Sequence, residues 1–193
     1  MEEWEAFLKR LGGIHQAVHV HGRTVLDAIL KTSVEMLECR NCTSISVVDD
    51  PMREIMAGRP VVTSDTTLVY VHTEDKVGVK VARTIVDQSE GKCCILVSID
   101  GPTSFTKNEF NAKNIQFMLC KFLFVNIVHH KLVPCHSLLS DDHGMDTASL
   151  PIILDSDPIV QFYNWPVGGV VKIERVFAGN EPTVYYRRIQ ASN

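Results

Sequence analysis

With 193 residues, 45% of them hydrophobic and 22% charged, the chain shows ordinary globular usage and has length for one large domain or two small ones, which excludes disorder throughout. Its 19 lysines and arginines against 23 aspartates and glutamates leave a formal charge of −4. A chain that holds nucleic acid alone presents a basic excess, so any DNA contact is expected to be local and shared.

The longest apolar run, Phe117 to Val128, is broken by Lys121 and Asn126, and the first ten residues carry three glutamates without an apolar segment. Neither a membrane span nor a signal peptide is expected, and a soluble intracellular protein follows. Six cysteines at uneven spacing argue for reduced thiols rather than a disulfide framework.

Helical periodicity opens the chain. Trp4, Phe7, Leu8 and Leu11 fall at i, i+3, i+4 and i+7, Gly12-Gly13 ends that helix, and Val25, Ala28 and Ile29 repeat the spacing. From Ile45 the pattern becomes one of short β-branched runs: Ile45 to Val48, Thr67 to His72, Lys76 to Lys80 and Cys93 to Ile99, set off by Pro51, Gly58-Arg59-Pro60, Asp75 and Gly91. A helix over Thr84 to Glu90 between two of these strands predicts a small α/β sandwich. Lys107 to Phe124 places Phe110, Ile115, Met118, Leu119, Phe122 and Leu123 near a 3.6-residue stripe. Thr106 with Glu109 has capping-box spacing at its start.

Composition shifts after Pro134. Ser137 to Ser149 is polar and is expected to be a linker. Leu150 to Ile189 reads as a second compact unit, in which Asp155-Ser156-Asp157-Pro158 opens a short helix. The strands Gly169 to Val176 and Thr183 to Ile189 follow.

The motifs of chemistry are sparse. Cys39-x-x-Cys42 is the only pair of its kind, and a structural zinc needs two further ligands at a suitable distance. The adjacent Cys93 and Cys94 lie in an expected strand and point to opposite faces. His15 and His19 have i, i+4 spacing without the intervening acid of a metal-binding helix, so these histidines and His21 are expected to be surface or packing residues. Nucleotide-binding glycine motifs and a nucleophile elbow are missing. Asp49-Asp50, Asp65 and Lys80 are the only residues that suggest a nuclease-like reading, and they lack the compact carboxylate and lysine spacing a divalent cation needs. No catalytic residue, metal or cofactor is expected.

The C-terminal unit carries a family resemblance. Leu150-Pro151, Ser156-Asp157-Pro158, Phe162-Tyr163, Gly168, Val170-Val171-Lys172-Ile173, Arg175 and Tyr186-Arg187 resemble the assembly domain of eukaryotic RNA polymerase subunit 5 and of its archaeal counterpart. Upstream, Asn126-Ile127, His130, Leu132-Val133-Pro134 and His136 are similar to the I-N-I-x-x-H-x-L-V-P-x-H run of that family. Lys76 to Lys80, Ile95-Leu96-Val97, Gly101, Thr103 and Lys107 resemble its eukaryotic N-terminal jaw. The likeness is good from Asp75 to Ile189, and before that it is positional.

The resemblance implies an α/β jaw domain over residues 1–136, a linker over 137–149 and a small α+β assembly domain over 150–193. It implies a non-catalytic subunit of a multisubunit DNA-directed RNA polymerase, docked on the largest subunit and bordering the downstream DNA channel. That subunit has no membrane association and no small-molecule substrate. Its location would be the nucleus, or a viral transcription site. His130, Pro134, His136, Asp157, Pro158, Lys172, Arg175, Tyr186 and Arg187 become interface candidates, and Gly101, Thr103 and Lys107 become DNA-proximal candidates. The chain departs from the family pattern at Pro166-Val167, where a basic pair is usual, and after Arg175, where Val176-Phe177-Ala178-Gly179-Asn180 replaces its turn. These departures suit a divergent member dedicated to one polymerase, and leave a free-standing adaptor with the same fold as a rival.

Overall fold

The computed structural model describes residues 19–20, 23–73, 77–113, 115–140, 144–176, 181 and 183–192. The expected helix before Gly12, together with His15 and His21, lies outside them. The chain divides into two compact units, Met1–Val125 and Asn126–Asn193.

In the first unit, β1 (His19–Val20) and β2 (Arg23–Thr24) form a small antiparallel pair. Five strands, β3 (Ser46–Val47), β4 (Val62–Thr63), β5 (Thr67–His72), β6 (Cys93–Ser98) and β7 (Ile115–Leu119), form one sheet in sequence order. β3 to β5 are antiparallel, and β5 to β7 are parallel. β5 and β6 are almost continuously apolar because both of their faces are buried. Leu68, Tyr70, Cys94, Leu96 and Ile115 meet Ala82, Ile85 and Phe110 from helices α3 (Val79–Gln88) and α4 (Ser104–Ala112) in one cluster. Val69, Val71, Ile95 and Val97, also buried, point to the other face.

Helix α1 (Val25–Cys39) starts at Thr24, whose hydroxyl accepts from the Asp27 amide at 3.1 Å. It contacts β3, β4 and the 3-10 turn Cys120–Leu123. The short α2 (Pro51–Met56) has proline in its first turn, and its Asp50 cap accepts from the Arg53 amide.

Two expectations in this unit are overturned. Of the run Lys76 to Lys80, the described residues Val77 to Lys80 are not a strand. Gly78 is the N-cap of α3, and although Val77, Val79 and Val81 alternate as in a strand, the buried residues are Val77, Ala82 and Ile85, a helical spacing. The long helix over Lys107 to Phe124 is instead three elements: α4 ends at Ala112, β7 pairs in parallel with β6, and a 3-10 turn follows. The Lys113 amide closes α4 on the carbonyls of Glu109 and Phe110. Pairing beside β6 then outweighs helical propensity for the segment that begins at β-branched Ile115. The cap also shifts, because the Thr103 hydroxyl accepts from the Thr106 amide at 3.3 Å, while the buried Thr106 hydroxyl bonds back to it at 2.9 Å.

The second unit is a four-stranded sheet in the order β8 (Cys135–Leu138), β10 (Val170–Arg175), β11 (Thr183–Gln190), β9 (Ile152–Leu154). β10 is antiparallel to β8 and β11, and β9 is parallel to β11. Helix α5 (Pro158–Tyr163) covers one face, bringing Val160 onto Val171, Ile173 and Ile189, with Leu138, Ile153 and Trp165 around them. The division between units thus precedes the boundary expected at His136. β8 is an edge strand of the C-terminal sheet, because Ser137 and Leu138 pair with Lys172 and Val171, so the first residues of the expected linker are built into that sheet.

Candidate functional site

The C-terminal sheet has two unlike faces, fixed by its register. Directly paired residues share a face, so Val171, Ile173 and Arg175 lie with Arg187, Tyr185, His136 and Leu138 on the side that α5 covers. The other side carries Cys135, Ser137, Lys172, Glu174, Val184, Tyr186, Arg188, Ile152 and Leu154.

That second face lies opposite the one α5 covers and is apolar along one margin. Ile152, Leu154 and Val184 are each 40% or more exposed; Val170 is the one buried residue on it. Lys172 stands opposite Tyr186 and forms an ion pair with Glu174 on its own strand. A hydrogen bond and charge from Glu174 raise the lysine's pKa. The Arg188 Nε is buried without a hydrogen-bond partner, an unusual state for a group that donates strongly.

The structure therefore separates the interface residues expected from sequence. Lys172 and Tyr186 share the open face. Arg175, Arg187 and His136 sit on the covered side, where the Arg187 Nη1 donates to the Ile152 carbonyl at 2.9 Å and the His136 Nδ1 lies 2.7 Å from the Pro134 carbonyl. Asp157 caps α5, accepting from the Ile159 amide at 2.8 Å, and Pro158 fills its first turn. His130 is exposed in the loop after the 3-10 turn Ile127–His129, with its Nδ1 accepting from the Leu132 amide. Leu132 is 84% exposed in that loop, and Pro134 is half-buried.

Sequence reasoning does not single out Ile152, Leu154 or Arg188. The period-2 alternation from Ile189 outward puts Arg188 and Tyr186 opposite the core face, a signal present in the chain. Nothing local reveals that Ile152 and Leu154 pair in parallel with β11.

In the N-terminal unit, Gly101 and Thr103 lie in the loop leaving the C-terminal end of β6, and Lys107 is exposed on α4. Thr103 caps α4, and its carbonyl accepts from the Lys107 amide at 2.8 Å. A β-carbon at Gly101 meets nothing within 4 Å, so packing does not require glycine there.

The residues of the nuclease reading do not converge as ligands. Asp50 caps α2, and the Asp65 carboxylate accepts from the Thr43 amide and hydroxyl at 2.9 and 2.7 Å. Among the described residues no three His, Cys, Asp or Glu side chains are grouped to hold a metal. Cys93 is exposed and Cys94 buried, as their strand alternation requires.

Comparison with known proteins matches the chain to one family. The family model for the C-terminal domain of RNA polymerase Rpb5 matches residues 125–189, a range that begins one residue before the second unit. The DNA-directed RNA polymerases I, II, and III subunit rpabc1 of Dictyostelium discoideum is 30% identical over 174 residues, covering 76% of this chain and 88% of that protein. The corresponding subunit RPABC1 of Caenorhabditis briggsae is 26% identical over 183 residues, with 76% and 87% covered. The DNA-directed RNA polymerase subunit 5-like protein 1 of Arabidopsis thaliana is 26% identical over 188 residues, with 89% and 90% covered. Covering most of the length of these relatives at modest identity, the chain belongs to the Rpb5 family as a divergent member.

Proposed function

We propose that the chain is a non-catalytic structural subunit of a multisubunit DNA-directed RNA polymerase, acting in nuclear transcription. The observation that carries this reading is the open face of the C-terminal sheet. A small four-stranded sheet that leaves Ile152, Leu154 and Val184 exposed beside Lys172, Tyr186 and Arg188 is built to be covered by a partner. An acceptor from that partner would satisfy the Arg188 Nε, and removal of the apolar margin from water would supply the affinity.

In this proposal the second unit is the assembly domain and its partner is the largest polymerase subunit. The first unit is the jaw bordering downstream DNA. Gly101 and Thr103 present backbone amides, and Lys107 a cation, to phosphates in a chain whose net charge of −4 does not favour DNA binding alone.

The test is affinity purification of the tagged chain from its native cells at moderate salt, with mass spectrometry of what stays bound. Recovery of the two largest polymerase subunits in equal amounts is expected. Their loss from the double variant Ile152→Asp, Leu154→Asp, with the fold intact by circular dichroism, assigns the contact to the open face. Recovery of neither subunit with the unaltered chain overturns the proposal.

A further inference from the structure

A cavity of about 410 Å³ opens at the C-terminal end of β5, between the end of α2 and the start of α3. In open α/β sheets, the crevice beyond the carboxyl ends of the parallel strands is where ligands collect, and a cavity of this volume suits a small molecule. Its described lining residues all belong to the first unit.

Two of its polar groups are unsatisfied. Tyr70, which lines it, is 3% exposed, and its hydroxyl is buried without a hydrogen-bond partner. Burial, then the neighbouring Cys94, pushes the phenol up to about 12, so at neutral pH it is an O–H donor without an acceptor. The Nε2 of His72, two residues along the strand and on the same side, is also buried and unpartnered. Buried polar atoms in this state mark a place where something else completes the bonding.

The remaining surroundings indicate what that is. α3 begins at the cavity with Gly78, which provides no side-chain cap, so the positive end of the helix dipole there has no acceptor from its own cap. Lys80 lines the rim, and none of the described lining residues is acidic. Ile55, Val81, Ile85 and Leu96 form apolar walls.

We propose that this cavity binds a small monocarboxylate carried on an apolar stem. The carboxylate would accept from the Tyr70 hydroxyl, lie against the N-terminus of α3 within reach of Lys80, and leave its stem among Ile55, Ile85 and Leu96. The proposal concerns binding alone. The site is independent of the polymerase contact, and either can fail alone.

The test uses the full chain, isotopically labelled, titrated by NMR with 4-phenylbutyrate and with its neutral counterpart 4-phenylbutan-1-ol. Saturable shifts around Tyr70, His72 and Lys80 are expected for the acid, with the alcohol at least about tenfold weaker, as the loss of a charge-assisted bond implies. Tyr70→Phe and Lys80→Met are each expected to weaken the acid by about three- to tenfold while leaving thermal unfolding unchanged or, for Tyr70→Phe, raised. Equal binding of acid and alcohol, unchanged binding in both variants, or no binding overturns the proposal.

Discussion

The amide of Ile189 donates to the Gly169 carbonyl at 2.8 Å, while the Ile189 carbonyl accepts from the Gly168 amide at 2.9 Å. Ile189 is fully buried in the C-terminal core, so this exchange ties the turn ahead of β10 to the last strand of the sheet.

Both glycines in that turn are required, for different reasons. Gly168 adopts φ +90°, a conformation side chains rarely take, whereas a β-carbon at Gly169 comes within 2.9 Å of the Leu138 Cδ1 and 3.1 Å of the Pro166 carbonyl. Leu138 can turn aside, but the carbonyl cannot. Gly168→Ala and Gly169→Ala are each expected to destabilise the second unit by about 1 to 2 kcal/mol. Urea unfolding followed by Trp165 fluorescence reads this, since Trp165 stacks on Tyr163 with ring centroids 4.6 Å apart.

Asp157 is expected to act chiefly on stability. Its carboxylate satisfies the Ile159 amide at the start of a six-residue helix that buries Ile159, Val160 and Phe162. Asp157→Ala should cost about 1 kcal/mol, and Asp157→Ser should recover most of it. Loss of polymerase recovery by the alanine variant but not by the serine variant would trace its role to the cap; equal loss in both would give the carboxylate a direct contact.

Much of this fold is legible in the sequence because local and global preferences agree. β5, β6, β10 and β11 stand close to where β-branched runs place them, and Asp157-Pro158 starts a helix as its residue types require. The failures share one cause, which is pairing at a distance. Ile115 to Leu119 reads as part of a helix until β6 offers it a parallel partner. Ser137 and Leu138 read as linker until β10 lies beside them. The site follows the same division. Family likeness points to Lys172 and Tyr186, yet only the register separates them from Arg175 and Arg187, which that likeness groups with them.

The Asp65 carboxylate gives a pH signature. Hydrogen bonds from the Thr43 hydroxyl, then the Thr43 amide, hold its pKa below the ordinary 3.8. A depressed folded value stabilises the fold above the unfolded pKa, and this contribution is lost as pH falls through the folded value. Asp65→Asn should therefore lower the urea midpoint at pH 7, and the gap from the unaltered chain should close below pH 3.8. A gap independent of pH would mean that the asparagine disturbs the Thr43 loop sterically and that charge plays no part.

Cysteine reactivity tests the fold and the open face together. Burial lifts the Cys94 thiol to about 11 and the Cys120 thiol to about 12, whereas Cys93 and Cys135 are exposed. Thiolate is the reactive form, so iodoacetamide at mildly alkaline pH should label Cys93 and Cys135 in the native chain and reach Cys94 and Cys120 only on unfolding. Cys135 pairs with Glu174 on the open face of the C-terminal sheet. If that face docks on the polymerase, labelling of Cys135 relative to Cys93 should fall about tenfold or more in the assembled enzyme, as burial in a stable interface excludes the reagent. An unchanged ratio in an enzyme that retains the chain would move the contact to another surface, with the exposed loop of His130 and Leu132 the next to test.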